Sequence, residues 1–149
     1  MIEGIVITPL RQIPDERGTV LHMLRATDPV FSGFGEVYFS TVKHGAVKAW
    51  KRHQRMVLNV ACLHGAIRFV CYDDRPQSPT RGAVQEIHLS ADPAHYALAT
   101  IPPGVWTGFT GVASGESILC NCASIPHDPS ESDRLPLDTP AIPYLWSPA

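Results

Sequence analysis

Lysine and histidine side chains that could move a proton lie close together in the segment KAWKRH, residues 48–53. Lys51 and His53 are two residues apart, and on a β-strand residues at that spacing point to the same face. A histidine that titrates near neutral pH can remove a proton from a carbon next to a carbonyl group, and a nearby ammonium can stabilise the resulting enolate. We therefore predict that His53 is a general base, with Lys51 or Lys48 beside the developing negative charge. The alternative is that these side chains lie at a strand end in solvent.

The surrounding segment, Gly45 to Gly65, shows whether the same side chains could hold a metal. It resembles the first motif of the cupin barrels, in which two histidines and a glutamate bind the metal, and those positions here hold Lys51, His53 and Leu58. A second cupin motif ends in a histidine, and Thr107 stands at that position. Because a catalytic metal needs three or four ligands from His, Asp, Glu or Cys, the sequence predicts no bound metal. A metal site with substituted ligands is the alternative.

The composition favours a small-molecule partner. The 149 residues carry a formal net charge of -2 without any run of lysine and arginine, so we expect neither nucleic acid nor a membrane surface as partner. No stretch is long and apolar enough to span a membrane, and we expect a cytoplasmic protein. The four cysteines lie in apolar runs and are expected to be buried, reduced thiols: Cys62, Cys71, Cys120 and Cys122.

The elements that must position these side chains are short strands. Fourteen prolines and eleven glycines punctuate the chain, and no helical periodicity is sustained over three turns. This pattern predicts an all-β jelly roll or barrel in one domain, residues 1–149, with a proline-rich tail, residues 126–149, that packs on the barrel or on a partner subunit. The predicted strands are Gly4 to Leu10, Thr19 to Leu24, Gly35 to Val42, Val47 to Trp50, Met56 to Leu63, Ala66 to Tyr72, Ala83 to Leu89, Ala97 to Ile101 and Ser117 to Ala123.

Five motifs, taken in order along the chain, resemble one family. They are DERG, KAWKRH, HGAIRFVCYDDRPQSPTRG, IPPGVWTGF and DRLPLDTPAIPYLW. Their order and spacing are similar to those of the dTDP-4-dehydrorhamnose 3,5-epimerases and the related sugar-nucleotide 3,4-ketoisomerases. The resemblance implies a cupin-type double-stranded β-helix, a homodimer without metal or other cofactor, and proton abstraction next to the ketone of a nucleotide-linked 4-keto-6-deoxy sugar. Such enzymes serve deoxysugar and cell-surface polysaccharide biosynthesis.

The resemblance also implies roles for individual residues. His53 matches a histidine of the ketoisomerase branch, and Asp138 matches the aspartate that orients the base. Lys51 and Lys48 match a histidine and an arginine of the family and would stabilise charge. The residues expected to contact the substrate are Arg17, at the nucleotide phosphates, together with Glu36, Tyr38, Lys48, Arg68 and Tyr72. Arg68 and Tyr72 are four residues apart on one predicted strand and so share a face.

Two positions depart from the family pattern. Thr107 stands where relatives carry a histidine, and Cys120 stands where epimerases carry an acid tyrosine, although a cysteine in an apolar run more readily fills the core. A double epimerisation needs an acid and a base at two carbons, so these departures favour a single epimerisation or a 3,4-ketoisomerisation. The alternative is a binding module, a cupin that keeps the pocket for a sugar nucleotide or another small molecule and has lost the chemistry.

Overall fold

The computed structural model describes residues 1–147, which form β-strands joined by turns and one short 3-10 helix. The strands are β1 (Val6–Pro9), β2 (Gln12–Asp15), β3 (Gly18–Leu21), β4 (Glu36–Lys43), β5 (Val47–His53), β6 (Leu58–His64), β7 (Ala66–Asp73), β8 (Val84–Ser90), β9 (Ala97–Ile101), β10 (Val105–Gly111), β11 (Glu116–Ala123) and β12 (Ser132–Arg134). The 3-10 helix is Pro129–Glu131. Within residues 1–147 no helix is long and apolar enough to cross a membrane.

Two five-stranded sheets form the body of the molecule. Sheet I has the strand order β1-β9-β6-β11-β4, and sheet II has the order β12-β5-β10-β7-β8. Aliphatic and aromatic side chains from both sheets form one core cluster, which includes Val60, Ile67, Phe69, Ile101 and Leu119. Consecutive strands repeatedly cross from one sheet to the other, as in a jelly roll. The all-β prediction is confirmed, and each of the nine predicted strands overlaps a strand of the structure.

Strand β10 lies in the middle of sheet II, yet the sequence pattern does not predict it. The strand follows Pro102-Pro103-Gly104 and contains Gly108, residue types that are typical of turns. In the structure Gly108 is required by packing, because a Cβ there would lie 2.5 Å from the Cβ of Ala49 and 2.9 Å from the ring of Trp146. Glycine in this strand therefore marks a close approach of neighbouring side chains, not a turn.

A β-bulge in β5 decides which side chains face the interior. Against β10, Lys51 pairs with Thr107 and Ala49 pairs with Gly108, so Trp50 is the extra residue. The backbone of Trp50 instead exchanges two hydrogen bonds with Leu135, at 3.1 and 3.2 Å. Because the bulge resets the alternation of the strand, Lys48, Lys51 and His53 all point between the sheets. Without the extra residue, Lys48 and Lys51 would lie on opposite faces.

The C-terminal tail returns over the outer face of sheet II. Ile142, Tyr144 and Trp146 pack on Trp50 and Val70, and the ring centroid of Trp50 lies 6.0 Å from that of Tyr144 and 5.2 Å from that of Trp146. These contacts place the tail on the barrel of its own chain. Residues 148 and 149 of the predicted tail lie outside the described residues.

Candidate active site

A cavity of about 540 Å³ lies between the two sheets, within the size range of small-molecule sites. Sheet II supplies the basic side chains, the histidine and a threonine, whereas sheet I supplies a tyrosine, a serine and an asparagine. The polar and charged lining residues are Tyr38, Ser40, Lys48, Lys51, His53, Thr107, Asn121 and Arg134. Apolar side chains, including Leu58, Val60, Phe69, Phe109 and Leu119, form the remaining wall.

His53 forms a buried pair with Glu131 in this cavity. The two residues are only 6% and 3% exposed, and Nδ1 of His53 bonds to Oε1 of Glu131. The other carboxylate oxygen of Glu131 accepts from the backbone N–H groups of Arg55 at 3.0 Å and Met56 at 3.2 Å. Both oxygens of the carboxylate are thus hydrogen-bonded, and the bond to Nδ1 fixes the orientation of the imidazole ring.

The 3-10 helix places Glu131 beside the histidine. Asp128 is its N-cap and accepts a hydrogen bond from the backbone N–H of Ser130 at 2.9 Å. Directly after the helix, β12 pairs with β5 so that Ser132 lies opposite His53. The local segment Asp128-Pro129-Ser130-Glu131 has the residue types of a helix start, with proline in the first turn, which is the one sequence signal for this element.

The charge states of the pair follow from its surroundings. Burial is the main cause that lowers the pKa of His53; the hydrogen bond with Glu131 opposes it, and the positive charge of Lys51 adds to it. For Glu131, burial alone would raise the pKa, but the hydrogen bonds from His53 and two backbone amides outweigh burial and hold the pKa below its usual value. At neutral pH the imidazole is neutral and the carboxylate ionised. Since a carboxylate only accepts, Nδ1 of His53 carries the proton and Nε2 presents its lone pair as a base.

Glu131, and not Asp138, is therefore the carboxylate that contacts His53. The sequence-based role of Asp138 as orienter of the base is not supported by the geometry, because Asp138 is exposed in the tail and Nδ1 of His53 is already bonded to Glu131. Sequence reasoning missed Glu131 because it lies 78 positions from His53, and only the pairing of β12 with β5 brings the two together.

Basic side chains line the cavity from β5 and β12. Lys51 and Arg134 pair across β5 and β12, and both line the cavity with Lys48. Burial lowers the pKa of Lys51, the positive charge of Arg134 lowers it further, and Glu131 and Glu36 oppose this. Lys48 extends over Phe109, with Nζ 6.0 Å from the ring centroid. Sequence reasoning missed Arg134, whose place in the site depends on the same strand pairing.

Tyr38, Ser40 and Asn121 form the polar part of the opposite wall. Tyr38 lies on β4 and Asn121 on β11, two neighbouring strands of sheet I, and both line the cavity. The side-chain amide of Asn121 donates to the hydroxyl of Tyr38 at 3.0 Å. Glu36 precedes Tyr38 on the same strand face. Its side chain does not line the cavity, but its negative charge raises the pKa of Lys51.

Three predicted substrate contacts lie elsewhere in this chain. Arg68 and Tyr72 do share a face, but it is the outer face of sheet II, since the intervening Phe69 and Cys71 point into the core. Arg68 there bonds to Ser147 at 3.0 and 3.1 Å. Tyr72 packs with the aromatic cluster under the tail. Arg17 is at the tip of the β2–β3 hairpin, where its side chain is 82% exposed and paired with Asp15 at 2.7 Å.

The two positions that depart from the family pattern also differ in location. Thr107 lines the cavity and donates to the backbone carbonyl of Lys51 at 3.1 Å. Cys120 lies between Leu119 and Asn121, which line the cavity, so its own side chain points out of it. Burial raises the pKa of the Cys120 thiol to about 11. Among residues 1–147 no three side chains of His, Cys, Asp and Glu come together in a geometry suited to a metal ion.

Comparison with known proteins places this fold and cavity in context. A spore coat polysaccharide biosynthesis protein of Bacillus subtilis is 25% identical to this chain, over 99% of this chain and 97% of its own length. A probable low-salt glycan biosynthesis epimerase of Haloferax volcanii is 29% identical over 98% of this chain and 95% of its own length.

Solved structures show the same fold. A dTDP sugar isomerase of Desulfovibrio desulfuricans superposes with a TM-score of 0.94 at 48% identity, over 97% of this chain and 92% of that one. A 4-keto-6-deoxy sugar epimerase from the novobiocin gene cluster of Streptomyces spheroides superposes with a TM-score of 0.86 at 23% identity, over 99% and 78%. The fold is thus the cupin-type jelly roll. Since the family model described as dTDP-4-dehydrorhamnose 3,5-epimerase matches residues 1–149, the chain belongs to that family.

Proposed function

We propose that this protein is an epimerase or ketoisomerase that acts, without a metal, on a nucleotide-linked 4-keto-6-deoxy sugar. The observation that carries the proposal is the buried His53–Glu131 pair, which leaves Nε2 of the imidazole in a cavity of suitable size. Family membership supports the substrate class, and so do the relatives, which include a dTDP sugar isomerase and a 4-keto-6-deoxy sugar epimerase. A cytoplasmic location stays a prediction.

The first step of the reaction needs a base and a site for negative charge. His53 removes the proton from a carbon next to the C4 ketone, and the electron pair of the broken C–H bond moves to the ketone oxygen as an enolate. The enolate oxygen would lie near the ammonium of Lys51 or Lys48. Return of a proton to a carbon of the enolate regenerates a ketone, so the overall change is an isomerisation that consumes no oxidant and no reductant.

The basic side chains of the cavity suit a diphosphate. Lys48, Lys51 and Arg134 line it together, and the guanidinium of Arg134 can bind phosphate oxygens through two parallel hydrogen bonds. In the pairing of β12 with β5, Arg134 lies opposite Lys51 and Ser132 lies opposite His53. Of the three cations that line the cavity, Lys51 is therefore the nearest to the His53–Glu131 pair. We therefore assign Arg134 to the diphosphate and Lys51 to the enolate.

We further propose that the protein is a homodimer in which Arg17 reaches the cavity of the partner subunit. The β2–β3 hairpin forms a two-stranded sheet of its own, an arrangement that is marginal in water without further packing. The outer face of edge strand β4 is apolar around Phe39, which is 63% exposed, and Phe34 nearby is 66% exposed. In a dimer, the hairpin of one subunit could pack on the apolar face of β4 of the other. This contact would cover both surfaces and would place Arg17 beside the cavity of the partner subunit.

Complementation tests this dimer. Arg17→Ala and His53→Ala would each be inactive alone, but a mixed dimer has one site with both residues intact if Arg17 acts across the interface. Refolding or co-expressing the two should restore about a quarter of wild-type activity for random pairing in a twofold dimer. A monomeric mass in solution, or no restored activity with mixed dimers present, would contradict the proposal.

The function itself is tested by hydrogen exchange. The protein is incubated with dTDP-4-keto-6-deoxyglucose in D2O, and deuterium at C3 and C5 is followed by NMR. We expect exchange at one or both carbons and none above background for His53→Ala. If the wild type shows no exchange but the nucleotide sugar raises its melting temperature, the protein is a binding module; a ligand at 100 times its Kd adds about 2.7 kcal/mol of stability.

A further inference from the structure

Inversion at a carbon requires a proton donor on the face of the sugar opposite to the base. We propose that Tyr38 is this donor, an inference that rests on the proposed function and adds a second catalytic residue to it. Three observations carry it: the wall on which Tyr38 lies, the direction of its hydrogen bond with Asn121, and the positions of the other hydroxyl and thiol groups.

Tyr38 and His53 face the cavity from different sheets. His53 is on β5 of sheet II and Tyr38 is on β4 of sheet I, and both line the same space between the sheets. A sugar ring bound in that space presents one face to each wall. A proton removed by His53 on one side can therefore be replaced by Tyr38 on the other.

The hydrogen bonds of Asn121 leave the hydroxyl proton of Tyr38 available. The backbone N–H of Asn59 donates to Oδ1 of Asn121 at 3.1 Å. Because a backbone N–H can only donate, Oδ1 must face Asn59, and the amide nitrogen of Asn121 must face Tyr38, at 3.0 Å. The phenol oxygen is thus an acceptor in this bond, and within residues 1–147 its O–H donates to no other side chain.

The other candidate donors are less suitable. Cys120 points away from the cavity, and Thr107 already donates to the carbonyl of Lys51. Ser40 lines the cavity, but an aliphatic hydroxyl is a far weaker acid than a phenol. Once Tyr38 has given up its proton, the amide of Asn121 stabilises the phenolate that remains.

The step balances without a further reactant. The enolate formed by His53 takes the proton of Tyr38 at carbon, a C–H bond forms on the opposite face, and the ketone is restored. The products are the epimer, the Tyr38 phenolate and the His53 imidazolium. Proton exchange with solvent water returns both side chains to their starting states.

The variant Tyr38→Phe separates the two half-reactions. It removes one hydroxyl from a partly exposed side chain, and His53 can still remove and return a proton on its own face. In D2O we expect deuterium to enter the substrate with its configuration retained, while the epimeric product falls by about 10²–10⁴-fold, the usual contribution of a general acid. A residue that only binds substrate would lower exchange and inversion together, so the ratio of the two identifies the role.

A matched control and a second variant complete the test. Tyr144→Phe removes a hydroxyl that bonds to Glu86 on the outer face and should leave the ratio unchanged. Asn121→Asp keeps an acceptor for the N–H of Asn59 but turns the Tyr38 hydroxyl into a donor to the carboxylate, so inversion should again be lost while exchange continues. Inversion at the wild-type ratio in Tyr38→Phe or in Asn121→Asp would overturn the role of Tyr38 and leave the proposed function standing. A wild type with neither exchange nor inversion would overturn both.

Discussion

Replacing Glu131 with glutamine tests the catalytic pair without changing the size of the side chain. The carboxylate accepts from three donors: the imidazole Nδ1–H and the backbone N–H groups of Arg55 and Met56. A glutamine offers only one acceptor oxygen. If that oxygen faces the backbone, the amide N–H₂ faces Nδ1 of His53 and imposes the wrong tautomer, with the proton on Nε2. If it faces His53, the two backbone donors meet another donor.

The expected magnitudes follow from this mismatch. Loss of the correct tautomer should lower kcat by about 10²–10⁴-fold, the range attributed to a positioned general base. Each buried backbone donor left without an acceptor should cost about 1–3 kcal/mol of the free energy of unfolding. Asp138→Asn should change neither quantity, because Asp138 is exposed and Nδ1 of His53 is bonded to Glu131.

The pH dependence gives a sharper readout. The base must be neutral, so activity is lost as the pH falls through the pKa of His53, which burial places below its ordinary value of 6.5. Glu131 raises that pKa, and removing its charge should lower it further. We therefore expect the acid limb of kcat to move to lower pH in Glu131→Gln. A decrease in kcat of less than about tenfold, below the range of a general base, or an acid limb shifted to higher pH would refute the assignment.

Three further predictions concern binding, packing and acid stability. Arg134→Gln should raise KM for the nucleotide sugar by about 10–100-fold, as expected for losing charge-assisted hydrogen bonds, with a smaller change in kcat, and steady-state kinetics would contradict it if kcat alone fell. Gly108→Ala should lower the free energy of unfolding by about 1–3 kcal/mol in chemical denaturation, because the new methyl group meets Ala49; an unchanged midpoint would disprove that packing. His53 and Glu131 both have lowered pKa values, so the stability they confer is present above their unfolded values of 6.5 and 4.5 and is lost as the pH falls through the folded ones. In thermal melts, the melting temperature of the wild type should fall with pH in this range, and that of His53→Gln should fall less. If the melting temperatures of the two proteins depend on pH in the same way, the result would count against the buried pair.

Much of the fold could be predicted from the sequence because alternation and turn residues are local signals. The nine predicted strands exist, and the shared face of Lys51 and His53 follows from their spacing alone. Strand β10 was missed because its glycines serve packing, which a local pattern does not distinguish from a turn.

The parts of the site that were missed depend on contacts between distant segments. Glu131 and Arg134 enter the site only because β12 pairs with β5. Arg68 and Tyr72 were correctly placed on one face, but spacing does not say whether that face is inside or outside, and here it is outside. The bulge at Trp50, which brings Lys48 to the interior, is likewise a property of two strands and not of one.

The central claim is that His53, oriented by Glu131, removes a proton next to the ketone of a nucleotide-linked sugar. The most direct measurement is the rate of deuterium incorporation next to the ketone of dTDP-4-keto-6-deoxyglucose, compared for the wild type, His53→Ala and Asp138→Asn under identical conditions. We expect rapid incorporation in the wild type and in Asp138→Asn, and none above background in His53→Ala. Incorporation that survives in His53→Ala, or that is lost in Asp138→Asn, would contradict the claim.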